Sequence, residues 1–363
     1  MRKHYLDNIR WITVLLVVLY HVIFGYAAVV DDYLTVGSFR SFQLQDGVLY
    51  LLYPWFMILL FVVSGICSRL YLEKHTVKEF VSSRTRKLLV PSTIGLFVFQ
   101  WLLGWFSMTL YGAFETMPVE SIPKPVLLAI MAVSGTGPLW YIQALWVFSM
   151  VLALVRKCEK KGRVYALCGR VNPVGALLLM LPLWACAQIL NSPVIIVYRM
   201  GVYGFSFFMG YFVFAHEEVL ERLQKCWKLL VPAALALGVG YTVFYFGDNF
   251  TVEPILNNFF SMAFAWTAVL AIFAFMKQFG NFDTKFSRFM SSRSFGIYVF
   301  HYLGLVIAMY FIGYPQALPA WLAYPVAGLA ALGGSLVLNA VISRIPVLRW
   351  CILGIRKEKN HVQ

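Results

Sequence analysis

Long apolar runs alternate with short polar segments along almost the whole chain. Runs of ~18–20 apolar residues are long enough to cross a bilayer as helices. They predict ten spans, at about 11–30, 48–67, 88–111, 139–155, 174–190, 200–215, 229–246, 259–276, 294–312 and 320–342. Continuous span-length runs, rather than ten-residue alternating ones, point to helices and away from an outer-membrane barrel. The expected fold is all-α: a single polytopic membrane domain over 1–349, followed by a short basic cytoplasmic tail at 350–363. The run "VLLAIMAV" (126–133) is too short to span and reads as a re-entrant or interfacial helix, and "SPVIIVY" (192–198) is ambiguous.

Composition agrees. Of 363 residues, 61% are hydrophobic and only 13% are charged, with mean hydropathy +0.74; a soluble domain carries ~25% charged residues. The net charge of +14 would raise nucleic acid as a partner in a soluble protein. Here its location decides. With the N-terminus inside, 27 of the 30 lysines and arginines fall on the cytoplasmic side, leaving Arg40, Lys124 and Arg199 outside. Positive residues mark the cytoplasmic face, so both termini are expected there, the partner is the lipid bilayer, and no nucleic acid is expected. The first run lacks a small-residue cleavage site before Asp31 and reads as an uncleaved span. Tryptophans and tyrosines at span ends, such as Trp11, Trp55, Trp101, Tyr111 and Trp321, read as interface anchors.

Other chemistry is thinned out by what the pattern lacks. The six cysteines form no C-x-x-C pair, so neither a disulfide framework nor a metal site is expected. All sixteen acidic residues lie outside the predicted spans, which weighs against a transporter coupled to protons or cations. No G-x-S-x-G or H-E-x-x-H motif is present.

Against this background two basic residues in "IRWITVLLVVLYHV" (9–22) stand out. Arg10 and His21 are eleven positions apart, just over three helical turns, so they share a face and lie about 16 Å apart along the axis. Arg10 sits at the cytoplasmic edge, one turn after Asp7, and His21 near mid-membrane. Ionisable groups are costly at that depth and are usually functional. His301 is the other intramembrane histidine; Ser294, Tyr298 and His301 fall at i, i+4 and i+7 on one face, with Arg293 at the cytoplasmic end. Two histidines on two spans, each above a cytoplasmic arginine, predict one shared polar cavity. A third basic cluster, Arg84, Arg86 and Lys87 in "FVSSRTRKLLVPS", precedes the third span, where Pro91 is expected to open and kink the helix. Read alone, it is either a solvated positive-inside run or a phosphate site.

Together these motifs resemble acyltransferase family three, the integral membrane O-acyltransferases that modify glycans. The resemblance rests on R-x10-H at Arg10 and His21, "YLDNIR" (5–10), an F-x3-R-x2-[RK]-L-x2-P pattern at Phe80, Arg84, Lys87, Leu88 and Pro91, "PLWYI" (138–142) and "SFGIYVFH" (294–301). The "LDNIR" opening resembles the branch that includes the glucan-succinylating protein of periplasmic glucans. Lys87 departs from the second arginine common in the family, and lysine cannot fork onto a phosphate; Arg86 is the candidate substitute.

The resemblance implies an acyl-CoA donor (acetyl-CoA or succinyl-CoA) from the cytoplasm, no metal, and an acceptor hydroxyl on an extracytoplasmic glycan or glycolipid, in a bacterial cytoplasmic membrane. Arg10, Arg84, Arg86, Lys87 and Arg293 would hold the donor. His21 would serve as general base or transient acyl carrier, and Tyr298, Ser294 or His301 would stabilise the oxyanion or orient His21. Trp140 and Gln143 would face the acceptor. A glycolipid or small-solute carrier using the same cavity is the alternative, and a non-catalytic membrane partner or sensor a third. Acceptor identity, acyl group and oligomeric state are not legible in the sequence.

Overall fold

The computed structural model describes residues 3–30, 35–159, 162–191, 197–313 and 317–355. Among the described residues it is helical throughout, with no strand beyond one isolated bridge between Asn191 and Arg199. In hydrocarbon a helix satisfies every backbone group within its own segment, so apolar runs of this length have few other options.

Eight helices are long and apolar enough to cross a membrane. In chain order with the shorter ones, they are α1 (His4–Phe24), α2 (Gly47–Leu72), α3 (Val77–Leu110), α4 (Lys124–Ser134), α5 (Leu139–Cys158), α6 (Pro173–Cys186), α7 (Met200–Phe212), α8 (Glu217–Lys225), α9 (Trp227–Tyr245), α10 (Phe259–Phe279), α11 (Lys285–Gly313), α12 (Ala320–Arg344) and α13 (Pro346–Leu353). The protein is thus an all-α polytopic membrane protein. The short apolar helix expected near 126–133 is α4; most of the 192–198 segment lies outside the described residues.

Two of the ten expected spans, 174–190 and 200–215, are met by the shorter α6 and α7. Proline explains the first: Pro182 has no N–H to give to Leu178, and the helix breaks there at Leu179. The pair nevertheless runs between the two ends of the bundle. At the basic end Arg222 donates to the Gly169 and Val171 carbonyls at 3.1 and 2.9 Å, and Arg69 lies over the Tyr165 ring. At the other end Gln188 donates to the Asn257 carbonyl at 2.8 Å, and Arg199 to Asn257 Oδ1 at 2.9 Å. α7 is pressed against α2 where Gly210 meets the Val62 backbone and Gly65 meets that of Phe207, an approach only a residue without Cβ permits.

α3 differs more from expectation. It begins at a capping box in which Thr76 and Glu79 exchange hydrogen bonds, well before the predicted start at 88. Pro91 does not open the helix. Instead the ladder widens to a π turn over Thr85–Leu89, just ahead of the proline whose missing N–H would have closed the α-helical ring. The expected domain limit at 349/350 falls inside α13, which is packed against α3.

α2, α10 and α11 form the buried centre, with Phe61, Trp266, Phe273 and Phe300 fully enclosed. α9 and α12 are peripheral and present Leu229, Val243, Leu329 and Val337 outward, as a lipid-facing surface requires. Trp11 and Trp55, expected as anchors, are instead buried; Trp11 donates to Asn8 and Trp55 to the Leu51 carbonyl.

Candidate active site

α1 is held in place by the polar residues of its first turns. Asn8 donates to the Gly280 and Phe282 carbonyls at 2.7 and 2.8 Å, tying α1 to the segment between α10 and α11. Lys3 and Lys277 both meet Glu217, and burial draws the Lys3 ammonium below its ordinary pKa. With α1 unbroken from His4 to Phe24, Arg10 and His21 keep the spacing of about 16 Å that the helical rise dictates.

Two cavities reach toward the middle of the bundle from opposite ends. The first, about 400 Å³, is basic: Arg10, Arg84 and Lys87 line it, with Ser64, Ser291 and Ser294. Arg10 pairs with Asp7 at 2.8 Å, and Arg84 donates to Ser68 Oγ at 3.0 Å. The π turn presents Arg84 and Lys87 to this one chamber. Leu353 and Ile355, beyond α12, close part of its wall. Gly354 between them is left-handed (φ 63°), with the Arg86 and Lys87 backbone where a side chain would sit.

The second chamber, about 130 Å³, holds His21 among Tyr20, Tyr53, Trp140, Tyr203 and Tyr302. Among the described residues no lysine or arginine lines it. Tyr298 belongs to the walls of both chambers. Its hydroxyl donates to the Pro138 carbonyl at 2.6 Å, holding the ring between them. That carbonyl is presented by a turn in which Gly137 takes φ 41°, a conformation glycine adopts without strain. The single shared cavity expected from sequence is therefore two chambers meeting at a tyrosine.

His301 is fully buried on α11. Its Nε2 lies 3.1 Å from His21 Nδ1, and its own Nδ1 lies 2.8 Å from the Tyr298 carbonyl and 3.2 Å from that of Ile297. Tyr302 meets the His21 ring edge-on at 4.8 Å.

The structure thus brings together Arg10, Arg84, Lys87, Ser294 and Tyr298 on one side, and His21, His301, Tyr298 and Trp140 on the other. Three expected site residues lie elsewhere. Arg293 stacks over Phe289 at 4.0 Å and bonds Ser292. Arg86 does not line the basic chamber, so Lys87, not Arg86, stands beside Arg84. Gln143 is a strut: it donates to the Ser92 carbonyl at 3.1 Å and accepts from the Tyr198 hydroxyl at 2.5 Å. The expectation missed Ser64, Cys67, Tyr141 and Ser291 on the basic side, and Tyr20, Tyr53, Tyr203 and Tyr302 on the other. Hydroxyls and aromatics are too common in this chain to stand out; only Tyr141, inside "PLWYI", carried a signal.

A family model described as an acyltransferase domain matches residues 3–340, nearly the whole chain, while no curated protein and no solved structure matches it. With the helical bundle, this makes the protein a multi-pass membrane acyltransferase. The chain belongs to acyltransferase family 3.

Proposed function

We propose that the enzyme takes an acetyl- or succinyl-type group from a cytoplasmic acyl-CoA and transfers it to a hydroxyl of a glycan or glycolipid outside the bacterial cytoplasmic membrane. The observation that carries this reading is the pair of chambers approaching Tyr298 from opposite ends, one cationic, the other lined by an imidazole. Arg10, Arg84 and Lys87 suit the phosphates of the donor, since guanidinium groups bind them as charge-assisted forks and the lysine ammonium adds a point charge. The thioester arm would extend along the Val14 and Val17 side of α1 toward His21. The small second chamber suits a short acyl group and a sugar hydroxyl beside Trp140.

The acceptor oxygen attacks the thioester carbonyl while His21 takes the hydroxyl proton, a contribution of about 10²–10⁴ in rate for a positioned base. The C–O bond forms, the C–S bond breaks, and the departing thiolate takes the proton from His21. The products are an ester and free CoA thiol, with the imidazole restored.

The test is to incubate purified protein with labelled acetyl-CoA and succinyl-CoA, with and without acceptor glycans, and follow CoA release and label transfer. His21→Ala is expected to abolish transfer while thermal unfolding in detergent stays unchanged. Near-normal transfer by that variant rejects the mechanism, and glycans that gain no mass from the wild-type protein point to a carrier.

A further inference from the structure

We infer that His301 is a positioning residue that fixes which nitrogen of His21 carries the proton, and so keeps His21 Nε2 open as the base. This rests on the transfer reading above and assigns His301 a role that reading left open.

A carbonyl can only accept. His301 Nδ1 lies 2.8 Å from the Tyr298 carbonyl and 3.2 Å from that of Ile297, so Nδ1 is the nitrogen that bears hydrogen. A neutral imidazole has one N–H, so His301 Nε2 carries a lone pair. That lone pair points at His21 Nδ1, 3.1 Å away. Only one arrangement makes a hydrogen bond there: His21 Nδ1 donates and His301 Nε2 accepts. The opposite tautomer of His21 would set two lone pairs against each other at a fully buried residue. His21 Nε2 is left with its lone pair, on a residue that lines the second chamber.

A hydrogen bond at one ring nitrogen setting the chemistry of the other is the general logic of oriented histidines. In hydrolytic triads a carboxylate does this work. Here the work is passed through a second imidazole to main-chain carbonyls, consistent with a chain whose acidic residues all fall outside the predicted spans. During transfer His21 Nε2 takes the acceptor proton and returns it to the thiolate, while the Nδ1–H···Nε2 bond to His301 persists. No proton need leave the pair.

The experiment compares two full-length variants by steady-state kinetics of CoA release with labelled acyl-CoA and acceptor. His301→Leu fills the space but accepts nothing. His301→Gln keeps an acceptor for His21 and a donor for the carbonyls. The expected result is a kcat about 100-fold lower for His301→Leu with the donor KM within about threefold of wild type, and His301→Gln within about tenfold of wild-type kcat. Both variants are checked by thermal unfolding in detergent. The inference falls if His301→Leu matches wild type, or if folded His301→Gln is as impaired as His301→Leu. Should His301→Leu fail to fold, His301→Gln decides alone: retained kcat supports the role, and a 100-fold loss overturns it. Wild-type protein that uses no acyl-CoA overturns the transfer reading instead, a result distinct from both.

Discussion

Arg10 shows how much one side chain can reveal when its element is regular. Its register with His21 follows from helical geometry alone, so both were legible in sequence, as was the Ser294–Tyr298–His301 face. Arg293 and Arg86 were not, because a cation at a span end has several partners within reach of a long flexible stem; Arg293 turned to Phe289. Gln143 illustrates the opposite case: a polar residue in a span needs partners, and here the Ser92 carbonyl and the Tyr198 hydroxyl supply them. Arg10 is only partly buried, so a ligand phosphate can reach it beside its Asp7 partner. Arg10→Ala is expected to raise the donor KM about tenfold, the loss of one charge-assisted contact, with acceptor preference unchanged. A donor titration at fixed acceptor measures this; an unchanged KM removes Arg10 from the donor site.

At the level of elements, hydropathy found the helices but not their interruptions. The π turn ahead of Pro91 and the break ahead of Pro182 both follow from a missing N–H. A proline in a sequence marks that the ladder must change; whether it kinks, widens or breaks depends on neighbours that lie far along the chain. α13 is the other element that sequence undervalued, because it looked like the start of a tail. Leu353 and Ile355 line the basic chamber although they lie beyond the 3–340 family match. Truncation after Arg344 is therefore expected to leave a folded bundle with a donor KM at least about tenfold higher, measured as CoA release against acyl-CoA concentration, the loss of roughly one well-packed contact region. Unaltered donor kinetics would show that this wall is dispensable.

For the whole molecule, the sorting of basic residues predicts an orientation, and the expectation is the same whether α6 and α7 are counted as two spans or as one out-and-back pair, since either count is even. Both termini are expected in the cytoplasm. A reporter that becomes active only outside the cytoplasm should stay silent when fused at either end and become active when inserted in the 112–123 loop; activity from either terminus reverses the topology. That orientation would give the tyrosine between the chambers a second job. A protein hollowed from both faces risks becoming a leak through which the cell's ion gradients drain. By bonding across to Pro138, Tyr298 sets its ring between the two chambers, where it is expected to act as a plug. Substrates would then meet at mid-membrane without a standing water column joining the two compartments.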